Sequence, residues 1–213
     1  MHIPTIYSKE YNGQEVFEIT SEKSHHLFNV LRSRNGSSVY ITNGKGLLAE
    51  GLLKDPNVVL IDKVYEKTRK YKINFFLSKL DSATRMRFAI EKLSELGISS
   101  ITVGSTIRSG KKKYDTNKLI SWGISAIEQS GNAFLPTIHQ VEKLDYSEFY
   151  QCIDIVGKDR LKGVGRSKNL AIGPEGGWDP SELAQFNEVY SLGPQILRSE
   201  TAAIVAATLL LSA

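Results

Sequence analysis

Two short glycine- and proline-bearing segments lie near the carboxyl end of this 213-residue chain, and the first has more of both than a strand-to-helix turn needs. The first is Gly173-Pro174-Glu175-Gly176-Gly177, which follows the apolar stretch Leu170-Ala171-Ile172. The second begins at Leu192-Gly193-Pro194 and runs through Gln195-Ile196-Leu197-Arg198-Ser199-Glu200-Thr201. Both leave the end of a predicted strand. Glycine allows a backbone to approach a ligand closely and to take positive φ. In open α/β sheets, ligands bind beyond the carboxyl ends of the strands. The two segments are expected to wall one pocket from opposite sides. A tight turn accounts equally well for the first segment taken alone.

A second chemistry is anion binding. Arg108–Lys118 gathers Arg108, Lys111, Lys112, Lys113 and Lys118 against Asp115. Lys158–Lys168 gathers Lys158, Arg160, Lys162, Arg166 and Lys168 against Asp159. The whole chain is only +4, so the remainder is acidic. A single charge run is usually a solvated loop. Two such loops in one modest protein point to a polyanion, with a phosphate backbone the usual cause.

Other patterns carry less. Gly44-Lys45-Gly46-Leu47-Leu48-Ala49 matches a dinucleotide fingerprint in letters, but no useful helix follows it, so a hairpin is expected. No phosphate loop and no nucleophile elbow is present. His25 and His26 are adjacent on a predicted helix and point in different directions. Cys152, the single cysteine, precedes an apolar strand and is expected to be a buried structural thiol. No metal is expected.

These residues need elements to hold them. Val16–Thr20, Val39–Thr42, Leu47–Leu53 and a run opening at Val58 read as short strands, with a helix at Ser24–Leu31 between them. Strands of this kind with turn punctuation suggest a small barrel. Glu66–Lys72 is the candidate linker. Beyond it, strands Ile73–Leu77, Ile98–Val103, Ile153–Val156, Leu170–Ile172 and Val189–Leu192 alternate with helices. The helices are Thr84–Leu96, Asp115–Ser130, Tyr146–Gln151, Pro180–Asn187 and Ser199–Ser212. Asp179, Pro180 and Glu182 form a helix start with a capping box. This order is α/β with a mostly parallel sheet. The last helix is apolar from Ala202 to Leu211, so burial on all sides is expected, within the domain or against another subunit.

Composition excludes several classes. With 41% hydrophobic and 23% charged residues the chain is neither disordered nor fibrous. One cysteine excludes an internal disulfide framework and suits a reducing cytoplasm. Met1–Thr5 gives no signal-peptide pattern. The longest apolar run is too short for a bilayer, which needs about 20 residues.

The C-terminal segments, with Leu192-Gly193 and Ile196–Ala202, resemble the signature of the RsmE-type 16S ribosomal RNA uridine-N3 methyltransferases of the SPOUT superfamily. The resemblance extends upstream through His26, Val30-Leu31-Arg32, Gly36, Glu91-Lys92, Glu95-Leu96-Gly97, Thr106, Arg108, Ser109, Glu128-Gln129-Ser130-Gly131 and Pro136. It implies residues 1–68 as a PUA-like RNA-binding β-barrel. It implies residues 72–213 as a SPOUT α/β-knot methyltransferase domain with a trefoil knot. A cytoplasmic homodimer acting on 16S rRNA of the small ribosomal subunit is implied, with S-adenosylmethionine as cofactor. The residues implied to hold the cofactor are Val156, Ile172, Gly173, Pro174, Glu175, Gly176, Gly177, Leu192, Gly193, Ile196, Leu197, Arg198 and Thr201. Those implied to contact RNA are Arg32, Arg34, Arg108, Lys111, Lys112, Lys113, Arg160 and Arg166.

Uracil N3 carries a proton that must leave during methylation. Glu128 and Glu200 are candidate acceptors, and Arg198 and Arg108 are candidates to stabilise charge on O2 or O4. Glu200 also suits the first turn of a helix, and Arg198 an interface ion pair. The chain departs from the family at Asn132 and Phe134, where basic residues are usual. Two alternatives stay open: an RNA-binding knot protein without catalysis, and a knot methyltransferase acting on another rRNA or tRNA nucleoside.

Overall fold

The computed structural model describes residues 3–162 and 167–212. They form two compact units. One holds residues 1–69 and 124–135, the other 70–123 and 136–213.

The first unit is built on strands β1 (Thr5–Tyr7), β2 (Val16–Glu18), β3 (Ser38–Thr42), β4 (Leu47–Asp55) and β5 (Val58–Glu66). They lie in the order β1-β3-β4-β5-β2, a mixed half-barrel in which only β1 and β3 run parallel. Alternation along the strands turns Val39, Ile41, Ala49, Leu53 and Val59 inward. They pack with Ile6, Tyr11, Phe17, Ile19 and Leu27. Full burial of side chains of this size contributes about 1.5–3 kcal/mol each. Asn43–Gly46 is the expected hairpin loop: Asn43 Oδ1 accepts from the amides of Lys45 and Leu47, and Gly44 and Gly46 take φ of 71° and 107°. β5 runs through Glu66, so the expected linker begins inside a strand.

Helix α1 (Ser21–His25) starts three residues before the expected Ser24, because Thr20 Oγ1 accepts from the Lys23 amide. It widens into a π-helical turn over His26–Val30. Arg32 follows with φ 57°, the one non-glycine residue with positive φ among those described. Residues 124–135, expected in the second domain, pack in this unit. Thr42 Oγ1 donates to the Ala133 carbonyl at 3.1 Å, and the Tyr7 amide donates to Glu128 at 2.8 Å.

The second unit is a seven-stranded sheet of β6 (Lys72–Ser78), β7 (Ser100–Ser105), β8 (Thr137–Lys143), β9 (Gln151–Ile153), β10 (Asp159–Arg160), β11 (Ser167–Ile172) and β12 (Glu188–Ser191). The order is β10-β12-β9-β11-β6-β7-β8, and every described pairing is parallel. Its helices are α2 (Ala83–Glu95), α4 (Pro180–Leu183) and α5 (Ser199–Leu211), with the first half of α3 (Thr116–Ser130), whose residues from 124 on belong to the first unit. α2 is capped by Ser82 and buries the expected stripe Met86, Ala89, Ile90 and Leu93. α5 buries Leu210 and Ala202, Ala203, Ala206 and Ala207, and the four alanines allow close packing on α2. Thr201 and Thr208 are exposed, so within one chain the expected all-round burial is met on one face.

Further expectations differ from the fold. The segment expected as a helix at Tyr146–Gln151 is a turn leading into β9, started by Ser147 bonds to Asp145. α4 ends at Leu183, short of Asn187, although its capping box is formed as expected. The sequence does not mark β1, β8 or β10, and the strand expected at Ile153–Val156 is β9, which ends at Ile153, where the chain turns at Asp154. Among the described residues, no helix is long and apolar enough to cross a membrane.

Candidate functional site

In the second unit, the chain leaves β9, β11 and β12 at their carboxyl ends and lines one cleft of about 330 Å³. Ile153–Ile155 follow β9, Ile172–Trp178 follow β11, and Leu192, Gly193, Gln195, Ile196 and Leu197 follow β12. Ser199 and Ala202 of α5 close it. Parallel strands end on one side of the sheet, so their loops converge there.

One bond ties the two bends together, and a second ties the first bend to the end of β9. Ser199 Oγ donates to the Gly173 carbonyl at 2.7 Å, and Trp178 Nε1 donates to the Ile153 carbonyl at 2.9 Å. A β-carbon at Gly173 would lie 3.0 Å from the Trp178 indole, so this glycine makes room for the ring. Gly177 and Gly193 take φ of 70° and 143°, which other residues rarely adopt.

Ten of the predicted cofactor residues line the cleft: Ile172, Gly173, Pro174, Glu175, Gly176, Gly177, Leu192, Gly193, Ile196 and Leu197. Val156, Arg198 and Thr201 do not; all three side chains are exposed. Trp178, Gln195, Ser199, Ala202 and Ile153–Ile155 line it without having been predicted. Trp178 had a visible signal, a lone tryptophan directly after the glycine run.

Charged groups flank the loops. Arg108, on the segment after β7, donates to the Gly176 carbonyl at 3.3 Å and to Asp179 Oδ2 at 3.2 Å. Its segment is anchored by the Ile107 amide, which donates to buried Glu182 at 2.9 Å. Glu200 is not free: Arg85 Nε and Nη2 donate to its two oxygens at 2.8 and 2.6 Å. Burial pushes the Glu200 carboxyl up, but bonds from Arg85 and from its own backbone outweigh this and leave it below its ordinary range. Arg85 also pairs with Glu175 of the glycine loop. Sequence reasoning missed Arg85, whose partners lie far along the chain.

Glu128 belongs to the first unit, where its carboxylate accepts from Lys23 Nζ at 2.5 Å and from the Tyr7 amide. Arg32 and Arg34 are exposed on the same unit. Lys111, Lys112, Lys113 and Arg160 are exposed on the second. Arg166 lies outside the described residues. At the departure from the family pattern, the Arg69 guanidinium sits 4.5 Å above the Phe134 ring. A cation therefore stands beside Phe134 from a different position in the chain.

Residues 68–211 match the RNA methyltransferase domain family, and residues 19–59 match the RNA methyltransferase PUA domain. The chain belongs to the RNA methyltransferase domain family. It is 26% identical to the ribosomal RNA small subunit methyltransferase E of Bacillus subtilis, over 89% of this chain and 87% of that one. A solved protein of Legionella pneumophila, described as a methyltransferase with bound cofactor SAM, superposes with a TM-score of 0.84 at 26% identity, covering 100% of this chain and 98% of that one. A ribosomal RNA small subunit methyltransferase E of Neisseria gonorrhoeae, bound to S-adenosyl methionine, shares the fold with a TM-score of 0.81 at 24% identity, over 99% and 98% of the two chains.

Proposed function

We propose that this chain is an S-adenosylmethionine-dependent methyltransferase acting on N3 of a uridine in 16S ribosomal RNA of the small subunit. The observation that carries this reading is the cleft between the two glycine-bearing bends, on a chain of the RNA methyltransferase family. Its lining fits a sulfonium nucleoside. Pro174, Leu192, Ile196 and Leu197 offer apolar contact for an adenine, and the glycines leave backbone polar groups uncovered by side chains. When bound, S-adenosylmethionine supplies an electrophilic methyl group.

The chain's own residues bind, orient and stabilise. Holding two reactants in near-attack geometry contributes about 7–11 kcal/mol to such a transfer. Arg198, between the lining residues Leu197 and Ser199, and Arg108, bonded to Gly176, stabilise negative charge on the uracil oxygens as N3 loses its proton. Water is the proposed acceptor of that proton; Glu128, the other candidate, accepts from Lys23 Nζ and the Tyr7 amide within the first unit. Glu200, engaged on both oxygens, acts by position. Val156 and Thr201 stay in this reading at the rim of the cofactor site.

The first domain, residues 1–68, and the exposed cations Arg32, Arg34, Lys111, Lys112, Lys113 and Arg160 take the RNA. The second domain, 72–213, carries the chemistry and a trefoil knot through the two bends. The active form is a cytoplasmic homodimer. Ile155, Val156 and Ile196 support this: they are large apolar side chains exposed at or beside the cleft, Ile196 by 86%.

The test is methyl transfer to small subunits purified from cells lacking this methylation, followed by mass mapping of the 16S rRNA. A single 3-methyluridine is expected. A methyl group on another nucleoside, or none despite cofactor binding, overturns the assignment.

A further inference from the structure

The second unit has another hollow, of about 720 Å³, which the methyl-transfer site does not use. It opens where β9, β11 and β12 begin: Gln151, Lys168 and Glu188 line it from the amino-terminal parts of these strands. The cleft described above lies past the carboxyl ends of the same three strands. The two sites thus occupy opposite ends of one set of strands.

The hollow's chemistry is cationic and aromatic. Lys158, Arg160, Lys162 and Lys168 surround it with Tyr150 and Tyr190. Asp159 and Glu188 are the acidic members, so cations are in excess. None of the four cations forms an ion pair among the described residues. Lys168 Nζ rests 4.3 Å from the Tyr190 ring centroid, and the Tyr190 hydroxyl is tied to Glu188. Burial presses the Lys168 ammonium down, and Glu188 offsets only part of this, so an anion in the hollow would be stabilised. Gln151, 6% exposed, donates from Nε2 to Glu188 at 2.8 Å, while its Oε1 has no hydrogen-bond partner among the described residues. Tyr150 is 39% exposed, among the exposed large apolar side chains.

Cations along a groove beside open aromatic rings are what a single nucleic-acid strand requires. Phosphates take the charge, and any base stacks on a ring. A bare inorganic anion has no use for the tyrosines. We propose that this hollow is a second RNA contact, seating one nucleotide of a single-stranded segment, with phosphate on Lys158, Arg160 and Lys162 and the base on Tyr150. It holds a nucleotide other than the one methylated, because it lies at the other end of the strands. The proposal rests on the methyltransferase reading only for the identity of the strand as ribosomal RNA.

The experiment is fluorescence anisotropy with a labelled uridylate dodecamer over a series of salt concentrations. It uses the full chain, Tyr150→Ala, Tyr150→Phe and the double variant Lys158→Ala/Lys162→Ala. Calorimetric titration with S-adenosylmethionine reports whether each variant is folded. Tyr150→Ala is expected to weaken dodecamer binding by about fivefold or more, and Tyr150→Phe to keep it. The double variant is expected to reduce the salt slope by about 1.4, the single-strand value for two phosphates. Unchanged affinity and slope in folded variants overturns the proposal. So does free uridine monophosphate binding as tightly as the dodecamer, which would assign the hollow to a small nucleotide. A protein that methylates small subunits but fails this test loses the second contact and keeps its function. One that passes it but methylates nothing keeps the contact and loses the function.

Discussion

Arg85 holds Glu200 through two guanidinium nitrogens and reaches Glu175 through the third. One side chain of α2 thereby ties the first turn of α5 to the glycine-rich loop after β11. Both walls of the cleft depend on this arginine, although it is not among the residues that line it.

Removing Arg85 leaves a carboxylate that is only 7% exposed without its partner. Breaking one side of a buried pair costs about 3–5 kcal/mol. Arg85→Ala is expected to lose stability on this scale in urea denaturation. Arg85→Met/Glu200→Leu is expected to regain most of it, because no buried charge is left behind.

The same pair sets a pH dependence. The Glu200 carboxyl is held below its ordinary value of about 4.3, so its stabilising contribution is complete above that pH. It is lost as pH falls through the lower, folded-state value. The stability difference between the wild type and Glu200→Gln is expected to be constant from neutral pH to mildly acidic pH. It should shrink below about pH 4. A difference that grows on acidification contradicts the pairing.

Gly173 and Trp178 form a size-matched pair. A β-carbon at position 173 meets the indole at 3.0 Å, so Gly173→Ala pushes the ring away from the Ile153 carbonyl it bonds. S-adenosylmethionine affinity by calorimetry is expected to fall about tenfold, since small displacements at such sites are costly. Gly173→Ala/Trp178→Phe is expected to lose less than the sum of the single variants, the mark of a direct contact.

Much of this organisation was legible in the sequence, for local physical reasons. The stripe Met86, Ala89, Ile90, Leu93 has helical spacing, and Asp179-Pro180-Ser181-Glu182 is a cap written in consecutive residues. The first bend announced a cleft because a turn alone does not need three glycines in five residues, and the second leaves the end of the next strand. What stayed hidden has weak or distant signals. β8 is a sheet-edge strand whose residues Thr137–Lys143 bury Ile138 but leave both ends exposed, so no apolar alternation marks it. Tyr146–Gln151 carries an Asx turn at Asp145 that imitates a helix start. Arg85 reads as one more surface cation on α2, because Glu175 and Glu200 are distant in sequence. Arg69 over Phe134 is invisible for the same reason.

Cys152 is fully buried in β9. Burial pushes its thiol well up, and the Asp154 carboxylate adds to this. Only the thiolate is reactive. The native protein is expected to resist Ellman's reagent at pH 8 and to release one equivalent of thiol on unfolding in guanidinium. Fast labelling of the folded chain would show that β9 opens readily.

The central claim is that the bends after β11 and β12 together hold S-adenosylmethionine. Photo-crosslinking of radiolabelled S-adenosylmethionine to the full chain, with peptide mapping of the adducts, tests it most directly. Adducts within residues 172–178 and 192–199 are the predicted result. Adducts confined to other segments, or specific binding with neither bend labelled, would contradict it.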